Sequence, residues 1–254
     1  KKKVFFSIIT VTKNSHLTLE KCINSVFSQS FQNYEHIIID GESDTQTIEL
    51  IRKHTDKINI AISEKDQNMW EAINKGINVS SGEVICILNS DDFFYKDALK
   101  IAHKYFSENN IDYLFGSVLK AKVYHNFYPE KIYYKFNIFP SHSVGFFIKK
   151  NVHDELGLYD INLDYCADYD LIFRLVRNKK KFLCTKINEV FGEFSKGGMS
   201  TKINIFEKIY HESKVRIKNK QNRILVYLLS FLHLLNYFRN RVLQILRIKK
   251  NINW

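Results

Sequence analysis

Apolar residues recur along this chain in two rhythms. Residues 4–11, 34–40, 58–62 and 83–88 are short, nearly continuous apolar runs rich in β-branched and aromatic side chains, which predicts strands buried on both faces. Residues 15–29, 44–55 and 69–80 carry their apolar positions at helical spacing, the first through Leu17, Leu19, Cys22, Ile23, Val26 and Phe27. Strand and helix in alternation predict an α/β fold with a mostly parallel central sheet and helices on both faces. Beyond a helix near 95–107, residues 113–118, 120–128, 144–148 and 182–190 read as strands, and 151–157 and 168–178 as helices. From about residue 203 the pattern is helical throughout, so the division falls into a main domain, 1–202, and a helical tail, 203–254.

Composition narrows the class. Of 254 residues, 45% are hydrophobic and 26% charged, which excludes wholesale disorder, and 9 Gly with 2 Pro excludes a fibrous protein. The four cysteines, Cys22, Cys86, Cys166 and Cys184, lie far apart, which argues against a disulfide scaffold or zinc ribbon and suits reduced thiols. Lys1–Lys3 before an apolar run resemble the start of a signal peptide, but the run is short and contains Ser7 and Thr10, so it reads as a first strand. The net charge of +11 is unevenly placed: residues 201–254 hold 12 Lys and Arg against 2 Asp and Glu.

In parallel sheets, ligands bind beyond the carboxyl ends of the strands. Here those ends read Thr10, Thr12, Lys13, Asn14; then Asp40, Glu42, Asp44; then Glu64, Asp66; then Asn89, Ser90, Asp91, Asp92. Polar and acidic groups therefore converge on one rim. Adjacent carboxylates at a strand end suit a hard divalent cation, although Asp92 also fits a helix N-cap.

Five segments in this order resemble a family 2 glycosyltransferase of GT-A fold, of the kind that builds bacterial surface polysaccharide: SIITVTKN (7–14), IIIDGESDTQT (37–47), SEKDQNMWEAINKGINVSSGEVICILNSDD (63–92), HSVGFFIKK (142–150) and CADYDLIFRL (166–175). The resemblance implies a catalytic domain over 1–202, with a nucleotide-binding half to about 112 and an acceptor-binding half beyond. It implies inverting transfer from a nucleoside diphosphate sugar, UDP-linked by default, to a hydroxyl of a glycan or lipid-linked acceptor. By the same resemblance Thr10, Thr12, Asn14, Asp40, Asp66, Asn74 and Ser90 serve the nucleotide. Asp91, with Asp92 beside it, holds Mg²⁺ or Mn²⁺; Asp168 is the catalytic base; and His142, Gly198 and Ser200 lie toward the acceptor. Several positions depart from the pattern: Asn89 stands where relatives have the first acid of an Asp-x-Asp motif, Ala167 where many have Glu, Asn68 where they often have Gly, Trp70 where they often have Tyr, and Lys196 lies near the place of a His that many carry as a third metal ligand. Asp168 also reads as a helix N-cap, and the aromatic-rich stretch 124–139 stacks on acceptor sugar, sits at a lipid surface or packs in the core.

Within the tail, residues 224–238 form an apolar run about 22 Å long as a helix, short of the roughly 30 Å of a bilayer core. With the basic residues that follow, it predicts peripheral contact at the inner, cytoplasmic face of a membrane, or else packing on the catalytic domain or a second subunit. Three other readings are weaker. A sugar nucleotidyltransferase would carry a Gly-rich, Arg-containing loop after the first strand, and residues 10–14 have neither. A nucleic-acid binder fits poorly with an apolar tail, so no nucleic-acid partner is expected. A degenerate interaction module on the same fold is the remaining alternative.

Overall fold

The first strand sets the architecture. In the computed structural model, which describes residues 3–125, 128–135, 143–163, 165–195 and 203–252, β1 (Phe6–Thr12) has every residue buried, so helices must cover both its faces. It pairs in parallel with β2 (Tyr34–Asp40) and β4 (Val84–Ile87), and β3 (Ile60–Ser63) extends the sheet in parallel beyond β2. On the other side β9 (Phe146–Lys149) runs antiparallel to both β4 and β6 (Tyr113–Phe115), and β10 (Phe182–Cys184) closes the edge in parallel with β6. The seven-stranded order is β10-β6-β9-β4-β1-β2-β3, a mostly parallel central sheet.

The period of two along β1 sorts its side chains between two cores. Ile9 and Val11 pack with Ile37 and Ile39, with Ile73 and Ile77 of α3 (Met69–Val79), and with Leu171 and Leu175 of α6 (Ala167–Arg177). Phe6 and Ile8 pack on the opposite face with Cys22 and Val26 of α1 (His16–Phe27) and Leu99 and Ala102 of α4 (Ala98–Glu108). Side-chain caps start helices at the sheet: Asp44 accepts from the Thr47 amide at 2.9 Å to start α2 (Thr45–Lys53), and Asn68 accepts from Trp70 and Glu71 amides to start α3. The cap residues preceding α4 and α6 are Asp97 and Cys166, so neither Asp92 nor Asp168 is an N-cap.

Three expected strands differ in the structure. The run 113–118 breaks at Gly116, and the run 182–190 breaks across 185–189. In each, the first piece joins the central sheet and the second joins a small sheet of β5 (Phe93–Phe94), β11 (Val190–Glu193), β7 (Ser117–Lys120) and β8 (Lys122–Tyr124). The crossing is tight: a Cβ on Gly116 would lie 2.2 Å from the Phe191 ring. The run 120–128 is a hairpin arm instead, because Ala121 adopts φ 57° and turns β8 back on β7; Pro129 then opens a short 3₁₀ turn.

The expected tail holds two unlike helices. α7 (Ile205–Lys218) is locked onto α6 by a fully buried carboxylate: Asp170 accepts from Arg174 Nε at 2.9 Å and Asn219 Nδ2 at 2.8 Å, with Lys218 Nζ at 3.1 Å. Arg216, also fully buried, donates to Gln221 Oε1 and to the Lys135 carbonyl and lies over the Tyr169 ring. α8 (Arg223–Ile252) leaves most of its apolar residues exposed. No helix among the described residues is long and apolar enough to cross a membrane.

A tight helix–strand contact yields a test. A Cβ on Gly76 of α3 would lie 2.4 Å from Ile9 Cγ2. Alanine is favoured over glycine inside a helix by about 1 kcal/mol, but overpacking costs about 1–3 kcal/mol. Gly76→Ala is therefore expected to lower stability in urea unfolding, whereas a raised midpoint would mean α3 is free to back away from β1.

Candidate functional site

A cleft of about 1420 Å³ opens at the carboxyl ends of β1, β2 and β4, where helices leave the sheet and strand-end polar groups collect. The loops that frame it are tied to one another. Gly41 N–H donates to Thr12 O at 2.9 Å. Asn14, at φ 52°, donates its N–H to Ser43 Oγ and accepts the Asp44 N–H through Oδ1, both at 2.8 Å. Buried Ser90 donates to Ser15 Oγ at 3.0 Å. Asn14 is thus a brace between loops, and Ser90 braces the turn after β4 while lining the cleft.

On the β2 side Asp40 is fully buried. Its Oδ2 accepts from Ser43 N at 3.0 Å and Ser63 Oγ at 2.6 Å, while Oδ1 has no partner among the described residues. Thr12 Oγ1 is buried in the same unpartnered state. Asp66 lines the cleft and is ion-paired at 2.7 Å with Lys75, which also reaches Glu64 at 2.8 Å. Those two carboxylates hold the Lys75 ammonium well above its ordinary pKa.

Two expected nucleotide residues turn elsewhere. Thr10 points to the α1 face, where its hydroxyl meets His36 Nε2 at 3.0 Å and Cys22 Sγ at 3.7 Å; alternation along β1 puts it on the Phe6–Ile8 side. Asn74 spends both ends of its amide on the Tyr159 backbone, donating to its carbonyl at 2.8 Å and accepting from its N–H at 3.0 Å. It fixes Tyr159, whose ring stacks on Trp70 at 5.3 Å and 18° to line the cleft.

The turn after β4 holds two carboxylates in unlike settings. Asp91 is exposed in the cleft, and its side chain takes no hydrogen bond or ion pair among the described residues. Asp92 is buried, accepting from Ser195 N at 3.0 Å and Asn89 Nδ2 at 3.2 Å. Burial, then the neighbouring Asp91 charge, push Asp92 up to about 7. Asn89 therefore has a physical rationale: its amide can donate to Asp92, where a carboxylate would add a third negative charge.

Across the cleft Asp168 sits half-buried in the first turn of α6, accepting from Tyr169 N at 2.7 Å. Burial pushes it up to about 6; backbone hydrogen bonds and the Lys208 charge oppose that rise. Lys208 comes from α7, which with His211 and Glu212 forms a wall of the cleft that the division at 202/203 had assigned to the tail. A signal for it lies in the sequence: Asn204 and Glu207 form a capping box that starts α7 as a separate helix. Lys120, Tyr124 and Tyr128 line the cleft from the small-sheet side. His142, Lys196, Gly197, Gly198 and Ser200 lie outside the described residues.

Hard oxygen donors make Asp91 suited to Mg²⁺ or Mn²⁺. Among the described residues, however, no three His, Cys, Asp or Glu side chains cluster to hold a metal ion. A cation at Asp91 would take further oxygen ligands from outside that described set, a bound phosphate being one source.

The profile of glycosyl transferase family 2 matches residues 7–163. A PGL/p-HBAD biosynthesis glycosyltransferase of Mycobacterium tuberculosis is 26% identical over 211 residues, 78% of this chain and 80% of that protein. The poly(ribitol-phosphate) beta-N-acetylglucosaminyltransferase TarS of Staphylococcus aureus is 29% identical over 114 residues, covering 43% of this chain and 20% of TarS. Among solved structures, TarS 1-349 in complex with UDP-GlcNAc superposes with TM-score 0.65 at 16% identity, covering 89% of this chain and 70% of that one. The mannosyltransferase PcManGT from Pyrobaculum calidifontis, in complex with GDP-Man and Mn²⁺, gives 0.67 at 15% identity, covering 90% and 70%. The fold is accordingly GT-A.

The clamp on Tyr159 can be tested directly. Asn74→Ala leaves a buried N–H and C=O unpaired and is expected to cost about 2 kcal/mol in urea unfolding. Unchanged stability together with weakened nucleotide binding would return Asn74 to a direct contact role.

Proposed function

Because the chain belongs to glycosyl transferase family 2, we propose that it moves a sugar from a nucleoside diphosphate sugar, UDP-linked in the first instance, to a hydroxyl of a glycan or lipid-linked acceptor, with inversion, in surface polysaccharide synthesis. The observation that carries this reading is the shared cleft of Asp91 and Asp168, one carboxylate unengaged and exposed, the other half-buried with a raised pKa. TarS with UDP-GlcNAc and PcManGT with GDP-Man support a nucleotide-sugar donor.

The residues divide the work by setting. Thr12 Oγ1 and Asp40 Oδ1 are buried hydrogen-bonding atoms without partners among the described residues, suited to base or ribose groups of a donor entering beside Gly41. Asp66 is ion-paired with Lys75 at the same rim. Asp91 would hold a divalent ion jointly with the donor's diphosphate, Asp92 bracing the turn behind it; such an ion supplies charge neutralisation for the departing group. Asp168 acts as general base. The acceptor oxygen forms its bond to the anomeric carbon as its proton passes to the Asp168 carboxylate. The bond from that carbon to the diphosphate oxygen breaks, and the electron pair leaves with the diphosphate. A single displacement of this kind inverts the anomeric centre.

Three measurements follow from these assignments. In calorimetry, UDP, GDP and dTDP are each titrated with and without Mn²⁺. One nucleotide is expected to bind only weakly without the ion, and Asp91→Ala is expected to remove most of the metal's contribution. Mn²⁺ alone should bind poorly, since the described residues supply no cluster for it. No nucleotide binding under any condition would leave a degenerate module on this fold. Asp168→Asn is expected to keep nucleotide binding and to lower transfer about a hundredfold or more. A carboxylate raised to about 6 is protonated, and idle as a base, below that pH. Transfer should therefore climb as pH rises through about 6 and then level off; a rate flat from pH 5 to 8 would remove Asp168 from the base role.

A further inference from the structure

The outer face of α8 carries a surface that the transfer reaction does not use. At 3.6 residues per turn, Ile224, Leu228, Phe231, Leu235, Phe238 and Val242 fall on one stripe, opposite buried Val226 and the Ser230 hydroxyl that meets Ser213 of α7 at 2.9 Å. Each of the six is 46–79% exposed, and the stripe is about 27 Å long. Exposed Arg223, Arg239 and Arg241 flank it. The chain has no Asp or Glu beyond Glu212.

We infer that this face lies flat on an anionic lipid bilayer, with the apolar stripe at the level of the acyl-chain boundary and the arginines among the headgroups. Charge decides between occupants. A second copy pairing through the same stripe would bring arginines against arginines with no acid from residues 213–252 to offset them, which disfavours a symmetric dimer. An anionic bilayer satisfies both parts of the surface at once: it takes the apolar stripe and attracts the flanking cations. The helix is not apolar enough to cross, so it lies in the interface.

The placement deepens the transferase reading, on which its functional meaning rests. Exposed Phe206 and Tyr210 of α7 continue the apolar surface, Phe206 touching Phe238 at 6.4 Å between ring centroids. Lys208 and His211, interleaved with them on α7, line the cleft beside Asp168. The docked face and the cleft mouth therefore share one helix, which favours an acceptor carried on a lipid.

The test uses the full chain and vesicle sedimentation. Vesicles of phosphatidylcholine containing phosphatidylglycerol are expected to carry the protein down at low salt and to release it at high salt, while pure phosphatidylcholine vesicles hold far less. The stripe variant L228S/F231S/L235S and the charge variant R223Q/R239Q/R241Q should each weaken anionic-vesicle binding about tenfold or more. All six positions are exposed, and nucleotide binding by calorimetry should stay unchanged in both variants. Failure of the unaltered chain to sediment with anionic vesicles at low salt would overturn the inference, as would equal, salt-insensitive binding to neutral vesicles. A dimer in solution that L228S/F231S/L235S converts to monomer would assign the face to a second copy instead. Vesicle binding without any nucleotide binding would sink the transferase reading while leaving the bilayer contact standing.

Discussion

The middle of the central sheet admits no water, and that constraint organises everything around it. Helices close both faces, so each backbone N–H and C=O of β1 must pair with β2 or β4, and its side chains sort into two cores by simple alternation. Polar groups that sit within the strands are turned to neighbours: Glu35 accepts from Ser7, Ser81 and Gly82, and Thr10 meets His36. Among the described residues, Thr12 Oγ1 and Asp40 Oδ1, at the carboxyl ends of β1 and β2, are buried without a partner. The cleft is what remains when a sheet of this kind pushes its chemistry to one edge.

Charge is then graded by burial across that edge. Asp91 faces solvent, Asp168 is half-buried, and Asp92 and Asp170 are enclosed. The enclosed pair are structural: Asp92 ties the turn after β4 to the chain leaving β11, and Asp170 ties α6 to α7. A buried carboxylate persists only when several donors converge on it, so each marks a junction that must not slip. Both junctions stand directly behind a carboxylate that faces the cleft.

The strands and helices of the first hundred residues were legible because their periods are clean and their lengths ordinary. The rim was legible too, since it follows from strand ends alone. Three things were not. A six-residue apolar run such as 113–118 carries no mark of which sheet its halves will join, and Gly116 reveals the switch only once Phe191 is seen against it. Asn74 looks like any polar residue on a helix near a pocket; that both ends of its amide are occupied by Tyr159 depends on a segment 85 residues away. The membership of α7 in the cleft wall was hidden by composition, because counting charge over 201–254 merged an anchored helix with an exposed one. Its anchors, Arg216 and Lys218 among them, are the very residues that made the region look like a basic tail.

The ties among the strand-end loops carry a consequence for anyone who would re-engineer this cleft. Asn14 holds the β2 loop through Ser43 and Asp44, Ser90 holds the head of α1 through Ser15, and Gly41 returns to Thr12. Three segments distant in sequence thus behave as one part. Grafting a single loop from a relative, to change which sugar nucleotide is accepted, would break hydrogen bonds whose other halves stay behind. The unit of exchange here is the whole rim, moved as a cassette, and variation among natural homologues should show these loops changing in concert rather than one at a time.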